Sequence, residues 1–180
     1  MDAQPISIKK SATNYGLILG AIMALMTTLM YVLNPDLFTK WWVGIISFVV
    51  IIAVGIVSVA KAKVILDGII SFKQAFTVYF ITIALGLFIS TLVGIVIFNI
   101  VDPEMALFLQ EKSLEMTAEM LKNFGTPQAA IDEQMAKMAE QNNFSIPTQL
   151  KNYVFSLAFM SVIGLLVALL FKSKNPNPLN

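Results

Sequence analysis

Glu111, Glu115 and Glu119 recur at four-residue spacing, and three carboxylates on one helix face are the raw material of a hard-cation site. The rest of the chemical inventory argues against that reading. The 180-residue chain holds no histidine, no cysteine and no arginine; all twelve basic residues are lysines, set against eleven acids. Without histidine, the commonest metal ligand and general acid/base is missing. Without cysteine there is no disulfide, thiolate nucleophile or sulfur-ligated metal, and without arginine no bidentate clamp for phosphate. The glutamate row therefore reads as a solvated, charged helix face. The expectation is a non-enzymatic chain with no cofactor, no metal and no nucleic-acid partner.

The elements that carry these residues are mostly apolar. Hydrophobic residues make up 57% of the chain and charged ones 13%, with a mean hydropathy of +0.78. That is far from the usual soluble composition of about a quarter charged. Residues 14–33 ("NYGLILGAIMALMTTLMYVL") carry no charge over a length that spans roughly 30 Å as helix. Residues 41–60 follow suit behind Trp41-Trp42, an interfacial pair. Residues 74–101 form the longest apolar stretch and 152–171 the fourth. The first is too long for a signal-peptide core and has no A-x-A-like site before Asn34-Pro35-Asp36, so it reads as a retained span. The fold class expected is an all-α integral membrane protein with four transmembrane helices. Residues 1–101 hold three spans, 102–149 an extracytoplasmic helical hairpin, and 150–180 the fourth span and a lysine-bearing tail.

Loop charges set the orientation. Lys9, Lys10, Lys61, Lys63, Lys73, Lys172 and Lys174 share one side with only Asp2 and Asp67. The 34–40 turn and the 102–151 loop carry five lysines against nine acids. Lysine-rich short loops mark the cytoplasmic side, which puts both termini in the cytoplasm and 102–149 outside it.

Within the spans, Gly16/Gly20, Gly86/Ser90/Gly94 and Gly164/Ala168 place small residues four apart. Missing side chains let two backbones approach closely in lipid, either inside one bundle or across a homo-oligomer face. No charged residue sits near the middle of any span, which removes the usual basis of ion-coupled transport. Asn99 and the hydroxyls of Thr27, Thr28, Ser47, Ser90 and Thr91 are read as structural hydrogen-bonding groups. Asp67-Gly68 marks a turn, and Ser71-Phe-Lys-Gln74 fits a capping box opening span three. A cytoplasmic docking loop is the alternative for this segment, but a cap explains its residue types fully.

Between spans three and four, Asp102 fits an N-cap and Pro103 the first helical position. Leu107, Leu114 and Leu121 recur every seven residues, and Met105, Leu109, Met116 and Met120 widen the stripe. Gly125 fits a left-handed helix stop. Thr126-Pro127 opens a second helix, with Ile131, Met135 and Met138 on one face and a Glu133/Lys137 pair on another. Five of the ten methionines fall here, and a flexible thioether suits adaptable contact surfaces as well as cores. The two helices can cover one another, lie on the bilayer or grip a partner.

The tyrosine-glycine opening of span one ("NYGLILG"), the "ISFKQAF" entry to span three, the "DPE" exit and the Met/Glu-rich hairpin together resemble the domain of unknown function 4199 family. The resemblance runs from about Tyr15 to Lys174, through Ser71, Phe72, Gln74, Ala75 and Phe76, then Asp102 and Pro103. It implies a small four-span inner-membrane protein, of a type found mainly in Bacteroidota, with no catalytic role for any of those residues. The function expected is an accessory or scaffolding subunit of a cell-envelope membrane complex. Its partners would be the lipid bilayer and other integral membrane proteins, met through Met105, Leu109, Met116, Met120, Ile131, Met135 and Met138. The alternative is a carrier or binding protein for a lipid or polyprenyl-linked substrate, which calls for an open polar crevice holding Asn99 and the hydroxyls.

Overall fold

The structure is a computed structural model that describes residues 3–173; Asp2 and Lys174, both counted among the loop charges, lie outside the described residues. Six α-helices account for nearly all of it: α1 (Ala3–Leu33), α2 (Trp41–Ile65), α3 (Phe72–Val96), α4 (Pro103–Asn123), α5 (Gln128–Ala139) and α6 (Ile146–Phe171). No strand occurs among the described residues. Four helices are long and apolar enough to cross a bilayer, over Ile8–Leu33, Trp41–Ile65, Phe72–Val101 and Ile146–Phe171.

Local chemistry sets where these helices start and stop. The α1 helix begins well before residue 14, because its one early proline, Pro5, falls in the first turn, where no amide hydrogen is needed. Asn34 ends it and accepts from the Asp36 amide at the head of a short 3-10 turn over Pro35–Thr39. Asp67 and Gly68 both take positive φ after α2. Ser71 and Gln74 then cap α3 reciprocally, at 3.2 and 2.9 Å. A π-helical turn over Ile97–Val101 finishes span three, closed by the Asp102 amide on the Ile97 carbonyl at 2.8 Å. The Asp102 carboxylate caps α4 through the Met105 amide at 2.9 Å. Gly125 adopts φ +77° beyond α4. The α5 helix has Pro127 itself at its cap, one residue later than the Thr126-Pro127 pattern suggests, with no side-chain cap. The α6 helix begins at Ile146, and Pro147 falls in its first turn, where no amide hydrogen is needed.

The α3 helix packs against all three other spans. It runs parallel to α1, with a Cβ on Gly16 falling 2.9 Å from Leu85 and one on Gly20 falling 2.6 Å from Ile89. In return Leu19 fills the notch at Gly86, where a Cβ would stand 2.5 Å from its side chain. On the other flank, the ring of Tyr79 lies between Gly55 of α2 and Gly164 of α6. Lipid tails are as apolar as leucine, so close packing of this kind is what holds such helices together. One polar link crosses the centre: Thr82 donates to the Ala12 carbonyl at 3.1 Å and accepts from Ser58 at 2.7 Å. Ser58 and Thr82 are both fully buried, and the chain of bonds ties α2, α3 and α1 at one level.

The two ends of the bundle are pinned differently. At the end nearest the termini, Ser173 makes three hydrogen bonds to the α2–α3 loop through Gly68 and Ile70, and Lys63 donates to the Phe171 carbonyl. At the hairpin end, Ile97, Phe98, Ala106 and Leu109 form a second small core with Tyr31, Phe38 and Phe144 around it.

Candidate functional site

Two places bring together side chains that the helices of the bundle do not use to hold each other: the α4–α5 hairpin, and a groove between α3 and α6 open to the side of the bundle.

The base of the hairpin is fixed. Tyr31 donates to the second oxygen of Asp102 at 3.1 Å, so one carboxylate both caps α4 and ties it to α1. Leu109, 1% exposed, and half-buried Met105 belong to the second core. The Gln110 amide donates to the carbonyls of Met138 and Gln141 and accepts from the Asn143 amide, which finishes the C-terminal end of α5. Lys112 pairs with Asp36 at 3.0 Å. The hydrogen bond and charge of Asp36 hold the Lys112 ammonium above its ordinary pKa.

Beyond that base the stripe divides. Ile131 is buried, Met135 and Met138 are half-buried, and Met135 lines a groove of about 490 Å³ with Phe108, Glu111, Leu114 and Glu115. Met116 and Met120 are 43% and 52% exposed, and Phe124 is 79% exposed. The seven-residue leucines divide too, with Leu107 outward and Leu114 and Leu121 half-buried. Glu111, Glu115 and Glu119 are all exposed. Among the described residues, no group of three or more acids converges closely enough to hold a metal ion.

The second place is a crevice of about 250 Å³ where the hairpin-side halves of α3 and α6 meet. It is lined by Leu87, Ser90 and Thr91 on α3 and by Gln149, Asn152, Tyr153 and Ser156 on α6. Tyr153 and Gln149 are hydrogen-bonded to protein, Tyr153 to the Ala84 carbonyl at 3.3 Å and Gln149 to the Phe144 carbonyl at 2.6 Å. Gly94 opens the hairpin-side end of this seam, since a Cβ there would meet the Gln149 oxygen at 3.0 Å. Tyr153 also borders an apolar groove of about 470 Å³ along α3, lined by Thr13, Phe80, Ile81, Ala84, Leu85 and Phe88. Asn99 is absent from the crevice; its amide is spent on the carbonyls of Ile95 and Phe144 at 3.2 and 3.0 Å. Thr28 and Ser47 likewise donate to their own helices, each to the carbonyl four residues back.

The remaining sequence-marked residues have structural places. Gly16, Gly20 and Gly86 lie in the α1–α3 contact, Gly164 under Tyr79, and Ala168 in the main core. Ser90 faces the crevice. At the α3 entry, Ala75 is fully buried, while Phe72 and Phe76 stack at 6.5 Å and Phe76 and Phe80 at 6.0 Å. Four-residue spacing passes over Gly55, Ser58, Tyr79 and Thr82. Their partners lie on other helices, and no local spacing in the sequence signals them.

The hairpin groove is lined by the charged Glu111, Lys112 and Glu115, and the crevice by neutral polar side chains. The chain matches no curated protein and no solved structure. A family model described as "Protein of unknown function (DUF4199)" matches residues 14–173, and the chain belongs to that family.

Proposed function

We propose that this protein is a non-enzymatic subunit of a larger cell-envelope complex in the bacterial cytoplasmic membrane. Both termini face the cytoplasm, and the hairpin meets its partner, another integral membrane protein, on the far side. The observation that carries the reading is the hairpin's division of labour. Its base is locked to the bundle by Asp102 and Lys112 and closed onto the end of α5 by Gln110, while Met116, Met120 and Phe124 are left uncovered on the same helix. Anchored side chains bind with less ordering entropy than mobile ones, and methionine adapts to the surface it meets.

Two measurements test it. The chain has no cysteine, so single cysteines at Ser113 and at Lys172 can be labelled from outside intact cells without removing any other thiol. Labelling at Ser113 alone is expected, and labelling at Lys172 alone would reverse the topology. Mild-detergent purification from the native host should then yield a reproducible partner that a Met116→Glu/Met120→Glu double substitution releases. A chain that elutes alone, with no crosslinked neighbour in membranes, would sink the subunit reading.

A second reading, binding of a lipid, is favoured by the polar crevice beside α6, which sits in an otherwise apolar wall.

A further inference from the structure

The crevice and the apolar groove next to it flank one side chain, Tyr153, whose ring packs edge-on against Phe88 at 5.9 Å. Their polarity is graded along the bundle. The polar part sits against the first turns of α6 and the last turns of α3, at the hairpin end, where a head group or ester region would lie. The apolar part starts at Phe88, at the middle of the span, and follows α3 back to Phe80, with Thr13 of α1 at its edge. An amphiphile standing upright in the hairpin-side leaflet has the same order of parts.

The chemistry of the polar end narrows what it accepts. Ser90, Thr91, Asn152 and Ser156 offer neutral donors and acceptors, and no lysine or acid is among the lining residues. The nearby cation, Lys151, is turned to the ring of Phe155 at 6.0 Å, and neither of the two lines the crevice. A phosphate placed there would leave water for a low-dielectric wall without a counter-charge, which is costly. Ester carbonyls and hydroxyls lose far less and can satisfy the hydroxyls and amide that line the wall. The flank of α3 supplies Phe80, Ala84 and Phe88 as an apolar bed for a chain, with the ring of Tyr153 against Phe88 at its crevice end.

We propose that this groove binds one glycerolipid with an uncharged head group from the hairpin-side leaflet. Its ester and hydroxyl oxygens sit between Thr91 and Asn152, and an acyl chain runs along α3. The proposal rests on the second reading above and narrows it to a lipid class, a site and a leaflet.

The test is native mass spectrometry of the full chain in mild detergent, with dioleoylglycerol or dioleoylphosphatidylglycerol added at matched concentration. Wild type is expected to retain one dioleoylglycerol, at least about fivefold more than phosphatidylglycerol. Thr91→Leu and Ser156→Leu fill the polar end and should each reduce retention at least about fivefold. Ser47→Leu, on α2 and away from the groove, should leave it unchanged; circular dichroism and elution volume check that all variants fold. If wild type retains neither lipid, the lipid-binding reading itself falls. If dioleoylglycerol is retained but Thr91→Leu and Ser156→Leu leave it untouched, binding is elsewhere and the site assignment falls. Equal retention of phosphatidylglycerol would overturn the uncharged head group.

Discussion

Replacing Gly164 by alanine adds one methyl group, and the fold predicts a disproportionate loss of stability. The new Cβ would stand 2.6 Å from Cδ1 of Tyr79, whereas ordinary contact begins at 3.4 Å, so about 0.8 Å of separation is the least required. A flexible neighbour would give way, but Tyr79 is a planar ring that is fully buried. Its opposite edge lies against Gly55, where a Cβ would come within 2.5 Å. The ring cannot retreat from α6 without striking α2, so α3 and α6 must part along their contact. Overpacking a closed core costs about 1–3 kcal/mol, and the loss here belongs near the upper end because the strain is held from both sides. Gly55→Ala should behave alike. Gly44, with nothing within 4 Å of a built Cβ, supplies the control: alanine there should be neutral or stabilising by up to about 1 kcal/mol. Unfolding by sodium dodecyl sulfate in mixed micelles, followed by circular dichroism, reads all three. Combining Gly164→Ala with Tyr79→Leu should cost less than the sum of the single changes, because both act through one ring. A Gly164→Ala variant within about 0.3 kcal/mol of wild type, or strict additivity in the double variant, would refute the wedge (both thresholds follow the usual scatter of additive sites).

The same core makes further predictions. The Tyr79 hydroxyl is buried with no partner among the described residues, so Tyr79→Phe should leave micelle unfolding unchanged or raise stability by up to about 1 kcal/mol. Thr82→Val should cost about 0.6–1.7 kcal/mol in the same assay, and Ser58→Ala less, because Thr82 is both donor and acceptor whereas Ser58 only donates to it. At the hairpin base, nuclear magnetic resonance titration of Lys112 should give a midpoint above 10.5, returning toward the ordinary value in Asp36→Asn. Lys112 holds its proton more tightly in the folded chain. The pair's contribution is therefore complete below pH 10.5 and fades as pH rises through the elevated value. An unshifted Lys112 midpoint would remove Asp36 as its partner.

What the sequence discloses about this protein follows from how local each interaction is. Ser71 and Gln74 are three residues apart and satisfy each other's backbone, so their cap is written in a four-letter string. Asp102 and Pro103 are as local, although the reach of Asp102 to Tyr31 across 71 positions is not. Span length and polarity are composition, and composition suffices to mark four helices long and apolar enough to cross a membrane. The wedge of Tyr79 between Gly55 and Gly164 joins three helices, and each glycine alone looks like any other small residue. Asn99 reads in the sequence as a structural hydrogen-bonding group, but its partner does not: the π-helical turn brings it within reach of Phe144, which follows it by 45 positions. The methionine stripe was legible as a stripe, yet which members it would spend on Phe98 and α5 depended on where the bundle ends.

The parallel contact of α1 with α3 also dictates an order of events during synthesis. A nascent chain delivers α1 and α2 before α3 exists. Through that interval the flat face at Gly16 and Gly20 has neither Leu85 nor Ile89 to meet. The Ala12 carbonyl likewise waits for the hydroxyl of Thr82. The first two helices can enter the bilayer as a hairpin, but their tightest neighbour arrives last of the three. Packing of the first span is thereby timed by the emergence of the third.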